Sequence, residues 1–207
     1  MSNLLQRIAL VAAVIGMPVP ASAQTTDSTP EARQQMQAYG ACVADRSAAK
    51  ASQTLSSDFR TQKYHLAMRA LNDNNRDCSR LLPRRSKMYS SSLLFAGAMA
   101  ERLMAAGPRP LNVRLAAAAA RPAPTFYSPS DAIAMCVVRS APDETARLFS
   151  SDVGSPAEIA AARALDVAVK LCSRDGPELH VNLEGLRAML ATAAFRNVAP
   201  LTLAKKS

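Results

Sequence analysis

The chain carries Cys42-Val43 thirty-six residues ahead of Cys78-Ser79-Arg80, and it repeats the pattern as Cys136-Val137 ahead of Cys172-Ser173-Arg174. Moving residues 42–103 forward by 94 positions aligns the two stretches without a gap, and 15 of the 62 aligned pairs are identical. Coincidence is a poor explanation, since cysteine is scarce here and every cysteine falls in register. The pattern indicates that one structural unit has been duplicated.

Each copy is predicted to contain four helices. The capping box Ser155-Pro156-Ala157-Glu158 and the pair Pro30-Glu31 mark two helix starts, because proline fits the first turn and acidic residues suit the positive end of the helix dipole. We expect the first-copy helices at about 30–47, 48–56, a third ending at 78, and 90–105. Those of the second copy are expected from 129 and at about 142–150, 156–173 and 183–196.

The third helix of each copy carries a stripe at helical spacing that ends in a cysteine. In the second copy the stripe is apolar and consists of Ile159, Ala162, Leu165, Val169 and Cys172. The matching first-copy residues are His65, Met68, Leu71, Asn75 and Cys78. Two polar residues, His65 and Asn75, therefore replace apolar ones in the first copy only.

Composition favours helices throughout the chain. Hydrophobic residues make up 49% of the 207 residues, whereas aromatic residues make up 4% and tryptophan is absent. The alanine-rich faces suit closely packed helices but are thin for two independent cores. We therefore expect an all-α fold in which two tandem disulfide-stapled helical repeats pack as one pseudo-twofold domain.

The four cysteines predict structural disulfides. Two pairings agree with the repeat: within copies, as Cys42–Cys78 and Cys136–Cys172, or like with like between copies. Pairing within copies is favoured, because it gives each unit its own bridge. Redox and metal chemistry call for short cysteine or histidine spacings, and the sequence has none.

The amino terminus has the organisation of a secretory signal peptide. Arg7 precedes an uncharged run, and Ala21-Ser22-Ala23 matches a cleavage site. The run is too short for a permanent membrane span, and export permits disulfides. We expect a secreted protein of the bacterial periplasm, with no transmembrane segment after signal removal.

Five prolines interrupt the region between the copies and predict a stiff linker, broken by a helix over 113–120. Residues 179–181 are a candidate for a short strand. The expected organisation is a signal peptide at 1–23, repeat 1 at 24–105, a Pro/Ala-rich linker at 106–130, repeat 2 at 131–200 and a tail at 201–207.

A Ser–His–Asp combination can be assembled on paper from Ser56 or Ser57, Asp58 and His65. The second copy repeats Ser-Ser-Asp at 150–152 without a matching histidine, so capping and turn chemistry explain the motif more simply. No nucleophile elbow, phosphate loop, zinc motif or calcium loop occurs. We therefore assign no catalytic residue, no metal ligand and no cofactor.

The formal net charge is +9, and one basic cluster occurs in the first copy only. A solvated loop is the plain interpretation. The alternative is contact with an acidic envelope protein, an anionic envelope polymer or a lipid surface. Nucleic acid is not expected, because export separates the chain from it and interleaved aromatic residues are missing. The cluster consists of Arg80, Arg84, Arg85 and Lys87.

The segments Cys136-Val137-Val138-Arg139 and Arg163-Ala164-Leu165, with Cys172 and the alanine-rich run 188–194, resemble a group of uncharacterised exported bacterial proteins with a duplicated paired-cysteine helical unit. The resemblance implies no activity and no cofactor. The expected function is that of a non-enzymatic interaction or binding module of the bacterial envelope. The alternatives are an envelope hydrolase using repeat 1 residues such as Ser57 and His65, or a purely structural or stress-linked envelope protein.

Overall fold

The computed structural model describes residues 28–82, 92–176 and 179–203, without the side chains of 200–203. These residues form an all-α domain, as expected, and contain no strand; 179–181 lie in an irregular segment. The predicted signal peptide lies outside the described residues. The helices are α1 Pro30–Arg46, α2 Ala48–Leu55, α3 Gln62–Asn74, a 3₁₀ helix Arg76–Leu81, α4 Ser92–Ala105, α5 Leu111–Ala119, α6 Pro129–Ser140, α7 Pro142–Ser150, α8 Pro156–Ala164, α9 Asp166–Cys172 and α10 Leu183–Leu203.

The offset of 94 residues holds for the helices as well as for the sequence. Helices α1 to α4 of the first half correspond to α6, α7, α8 with α9, and α10 of the second. The third-helix starts coincide: the Thr61 hydroxyl accepts from the Tyr64 amide, and the Ser155 hydroxyl accepts from the Glu158 amide. The duplicated serines agree too, since Ser57 donates to Thr54 O and Ser151 donates to Leu148 O, both at 2.6 Å.

Each half contains its own disulfide, so the pairing within copies is confirmed. Cys42–Cys78 and Cys136–Cys172 have the same Cα–Cα distance of 5.8 Å. Each bridge ties the first helix of its half to the end of the third. Disulfides of this kind are typical of proteins exported to an oxidising compartment.

The two halves meet along α4 and α10, which are buried on nearly every side. Small residues allow the close approach: a Cβ atom built on Gly97 of α4 would lie only 2.6 Å from Cα of Ala188 in α10. Helix α4 also packs against α1, and α10 packs against α6. The centre of the domain is thus shared by both halves, and its buried α4 and α10 residues are Phe95, Ala96, Met99, Ala100, Met104, Leu190, Ala191, Ala193 and Ala194.

The region expected to be a linker belongs to the core. Its predicted helix exists as α5, which buries Leu115 and Ala118 and packs against α6, α7 and α10. Two arginines fix its surroundings: Arg114 donates to Met104 O at the end of α4, and Arg139 donates to Ala118 O and Ala119 O at the end of α5. Helix ends leave such carbonyls without intrahelical partners, so both arginines act as caps.

The third helices are shorter than the stripe predicted. In the second half the chain breaks between α8 and α9 at Leu165. In the first half α3 gives way to the 3₁₀ helix at Asn75, which is buried and donates to Leu71 O and to the Ser47 hydroxyl. A side chain that bonds the backbone in this way competes with the helical ladder. Asn75 therefore has a structural role.

The first and last helices of the second half were expected to begin at 129 and to end at about 196, respectively. Helix α6 begins at Pro129, as predicted, whereas α10 continues to Leu203. None of the described helices is long and apolar enough to cross a membrane.

Candidate functional site

Two equivalent positions on either side of the α4–α10 contact are built from different chemistry. One position lies where the N-terminal end of α8, together with the loop before it, meets α1. The other lies where the N-terminal end of α3, together with the loop before it, meets α6. The residue pairs follow from the 94-residue offset: Glu158 with Tyr64, Arg187 with Leu93, Arg33 with Tyr127, and Glu101 with Phe195.

The first position holds a buried ionic cluster, made of Arg33, Glu101, Glu158, Glu184 and Arg187. Oε1 of Glu158 accepts from Arg33 at 2.7 Å and from Arg187 at 3.0 Å, and Oε2 accepts from the Gly154 amide at 2.8 Å. Arg187 also holds both oxygens of Glu101, at 2.8 and 2.7 Å. The cluster joins α1 and α4 of one half to α8 and α10 of the other.

The ionic cluster shifts the two carboxyl groups in opposite directions. Burial would raise the pKa of Glu158, but hydrogen bonds from Arg33 and the Gly154 amide, with the charges of both arginines, hold it below its ordinary value. Burial raises the pKa of Glu101, and the hydrogen bonds and charge of Arg187 offset this only in part. The ion pairs of the cluster link helices of the two halves, so its role is to hold the halves together.

The second position contains a cavity of about 240 Å³, here called the interhalf cavity. The first half contributes residues from α2, α3, α4 and the intervening turn, and the second half contributes residues from α6 and α10. Its apolar walls include Leu55, Phe59, Leu93, Ala134 and Met189, and its polar lining includes Ser57, Tyr64, His65, Asp131, Thr192 and Arg196.

An ion pair closes one side of the interhalf cavity. Arg196 of α10 pairs with Asp131 in the first turn of α6, and Arg196 also donates to Thr125 O at 2.9 Å. The second oxygen of Asp131 accepts from the Tyr127 amide at 2.8 Å. The Arg196 guanidinium lies 5.2 Å from the centre of the Tyr127 ring, which packs edge-on against Phe59. Both charges are therefore satisfied by the protein.

Tyr64 occupies the place that Glu158 has in the ionic cluster. Its side chain is 6% exposed and lines the interhalf cavity. Burial raises the pKa of Tyr64 to about 12, although the positive charge of Arg196 opposes this. The phenol is therefore a neutral hydrogen-bond donor at physiological pH.

Ser57 and His65, named by the hydrolase hypothesis, both line the interhalf cavity. They do not form a catalytic arrangement among the described contacts, because the Ser57 hydroxyl donates to Thr54 O at 2.6 Å. Asp58 is held by Arg60, and both oxygens of Asp131 are occupied. His65 is exposed and packs edge-on against Tyr64, at 5.7 Å between ring centres. His65 and the equivalent Ile159 are both exposed, whereas their neighbours Tyr64 and Glu158 are buried.

Arg80 is the described member of the basic cluster proposed to meet an anionic partner. It lies exposed near the end of the 3₁₀ helix, 4.0 Å from Asp77. Arg84, Arg85 and Lys87 lie outside the described residues. The anionic contact therefore stays a prediction.

Sequence reasoning identified Glu158 as a helix cap and did not identify its ionic role. The offset alignment contained a signal, since Glu158 and Arg187 both stand opposite uncharged residues. Such a pattern does not reveal that two elements far apart in the chain will meet. Within the described parts of the chain, no group of His, Cys, Asp and Glu is arranged to hold a metal ion.

Comparisons of the chain with protein-family models, with curated proteins and with solved structures returned no match. The resemblance to exported bacterial proteins with paired cysteines therefore stays a prediction.

Proposed function

We propose that the protein is a non-enzymatic binding module of the bacterial envelope, and that the interhalf cavity is its ligand site. The disulfides and the predicted signal peptide support export, and export to the periplasm belongs to this proposal. One observation carries the ligand site: the fold fills one position with a buried ionic cluster and leaves a cavity at its equivalent.

The lining of the interhalf cavity supports binding of a small, largely apolar molecule. Ligand sites are typically concave and apolar with a few polar groups that fix orientation. Here leucine, phenylalanine and methionine side chains form the walls, while Tyr64, His65 and Ser57 provide polar groups on one side. Burying apolar surface contributes about 25 cal/mol to the free energy of binding per Å² of area removed from water, so such walls favour an apolar ligand.

The test uses the neutral fluorescent probe N-phenyl-1-naphthylamine and the purified disulfide-bonded protein. We expect saturable fluorescence enhancement with the unmodified protein. Leu93→Arg introduces the residue type that fills the equivalent position, and it should abolish the enhancement. Val113→Arg adds the same charge on the exposed surface of α5 and should leave probe binding unchanged.

Leu93→Phe is a milder variant that narrows the interhalf cavity without adding charge, so it remains informative if Leu93→Arg fails to fold. Circular dichroism and non-reducing electrophoresis establish that each variant is folded and bridged. Equal probe binding by the unmodified protein and a folded Leu93→Arg would contradict the proposal.

The hydrolase alternative has one observation in its favour, namely that Ser57 and His65 line the same cavity. It requires the Ser57 hydroxyl to leave Thr54 O and reach a base within about 3 Å. A hydrolytic activity lost in both Ser57→Ala and His65→Ala, with probe binding retained, would favour it over the binding module.

A further inference from the structure

The Tyr64 side chain carries a hydroxyl that the fold itself does not use. Tyr64 is more than nine-tenths buried, and its side chain lines the interhalf cavity. Among the described residues, none forms a hydrogen bond with this hydroxyl, although its backbone amide donates to Thr61. A hydroxyl on the wall of a cavity that makes no hydrogen bond within the described fold is available to an acceptor supplied from outside the chain.

The remaining polar environment of the interhalf cavity also favours an acceptor. Tyr64 and His65 stand in the first turn of α3, and Ser92 and Leu93 stand in the first turn of α4. The first turn of a helix carries amide donors without helical partners and the positive end of the helix dipole. At α3 the Thr61 hydroxyl already caps the Tyr64 amide, so the positive ends of the two helix dipoles are what favours an acceptor or an anion here.

The described residues that line the interhalf cavity offer no free carboxylate to a bound cation. Among the described residues that line the interhalf cavity, Asp131 is the one carboxylate, and its two oxygens accept from Arg196 and from the Tyr127 amide. A charged ammonium group bound there would lose its hydration without gaining a free carboxylate, which is strongly unfavourable.

The ionic cluster provides an internal comparison for this position in the fold. There the chain itself places a carboxylate, that of Glu158, in the first turn of α8. The equivalent residue in the first turn of α3 is Tyr64, which supplies a donor in place of an acceptor. The same site on the fold thus contains its own carboxylate in one half and a group that would bind one in the other.

From the unpartnered Tyr64 hydroxyl beside the starts of α3 and α4, we infer that the interhalf cavity binds a small amphipathic carboxylate. Its apolar body lies against Leu93 and Met189, and its carboxylate accepts from Tyr64. This inference rests on the proposed binding function and adds the chemical class of the ligand.

The experiment compares three molecules with the same eight-carbon tail: octanoate, octan-1-ol and octylamine. Each displaces N-phenyl-1-naphthylamine from the purified disulfide-bonded protein at neutral pH, below its aggregation concentration. We expect octanoate to bind about tenfold more tightly than octanol, since one hydrogen bond to a charged group contributes about 1.5–3 kcal/mol. Octylamine should bind most weakly.

Tyr64→Phe removes the hydroxyl and keeps the ring. We expect it to weaken octanoate binding about tenfold and to leave octanol binding within about twofold, so that the preference for the carboxylate disappears. Ser130→Ala, which removes another lining hydroxyl, is the matched control and should retain the preference.

The outcomes separate this inference from the proposed function. If octanol binds and Leu93→Arg abolishes its binding, but octanoate shows no advantage or Tyr64→Phe retains it, the inference is wrong and the binding site stands. If no molecule of the series and no probe binds the unmodified protein, both are wrong.

Discussion

The two positions beside the α4–α10 contact show how one duplicated framework can acquire two different properties. In the ionic cluster, Glu158 is 0% exposed and is satisfied by two arginines and a backbone amide. In the interhalf cavity, the equivalent Tyr64 is nearly as buried but has no such partners. The disulfides and the hydroxyl caps of α3 and α8 correspond on the two sides, whereas the charged residues Glu158 and Arg187 stand opposite the uncharged Tyr64 and Leu93. This difference in side chains distinguishes the position that fastens the halves together from the one that stays open.

The comparison also explains why a cavity can be tolerated. Besides the α4–α10 contact, the halves meet at these two positions, and the ionic cluster fixes four helices at one of them. The other position can then have fewer contacts between the halves without unfolding of the domain. The following predictions test this division of roles, from the largest expected effect to the smallest.

The two disulfides should contribute almost equally to stability. Replacing Cys42 and Cys78 by Ser, or Cys136 and Cys172 by Ser, should each lower the free energy of unfolding by about 4 kcal/mol, because each bridge closes a loop of about 37 residues in the unfolded chain. Urea denaturation under non-reducing conditions measures both. A loss confined to one pair would show that the halves are not equivalent in this respect.

Glu158 should matter far more to stability than Tyr64. Glu158→Ala leaves Arg33 and Arg187 buried without their shared carboxylate, and we expect a loss of about 3 kcal/mol in the free energy of unfolding. Tyr64→Phe removes a hydroxyl that the fold does not use and should change it by less than about 0.5 kcal/mol. Urea denaturation of both variants measures the two changes in the free energy of unfolding, and equal losses would contradict this prediction.

The two positions should respond to pH in opposite directions. The pKa of Tyr64 is raised from 10.0 to about 12, so its contribution is complete below pH 10 and is lost as the pH rises through 12. At 1.36 kcal/mol per unit this amounts to about 3 kcal/mol. The pKa of Glu158 is lowered from 4.5, so its contribution is present above that pH and is lost as the pH falls through the lowered value.

Two variants test separately the loss of stability at alkaline pH and the loss of stability at acid pH. Urea denaturation from acid to alkaline pH should show that Tyr64→Phe removes part of the alkaline loss and leaves the acid limb unchanged. Glu158→Gln should lower stability at neutral pH and flatten the acid limb. Glu101→Gln is the control, since the raised pKa of Glu101 gives it the opposite pH dependence. Unchanged alkaline behaviour in Tyr64→Phe would contradict the assignment.

The contact between α4 and α10 should tolerate no added volume at Gly97. The equivalent residue in α10 is Ala191, so the close approach depends on a glycine in one helix only. Gly97→Ala would bring a Cβ to 2.6 Å from the Ala188 backbone, and we expect a loss of about 1.5 kcal/mol in the free energy of unfolding.

Gly176→Ala is the matched control, because its Cβ would meet no atom of the described residues closer than Ile133 at 4.0 Å. Thermal denaturation of the two variants provides the measurement. A Gly97→Ala protein as stable as Gly176→Ala would show that the helices can move apart without cost.

Local features of the chain determined much of the fold. The cysteine spacing, the proline caps and the 94-residue register predicted an all-α duplicated domain and the disulfide pairing, because capping, periodicity and repetition act over short distances or repeat in the sequence itself. The same local rules overextended the third helix of the first half, since the Asn75 side chain bonds to Leu71 O, and they did not indicate that Tyr64 and Glu158 are buried.

Only the tertiary structure decided what lies between the halves. Arg33, Glu158 and Arg187 come from three separated segments, and so do Tyr64, Asp131 and Arg196. Whether such residues meet depends on how α4 and α10 pack, which no short pattern encodes. The sequence therefore determined two similar halves, and packing determined that one of their two meeting points is filled by charge and the other is a cavity.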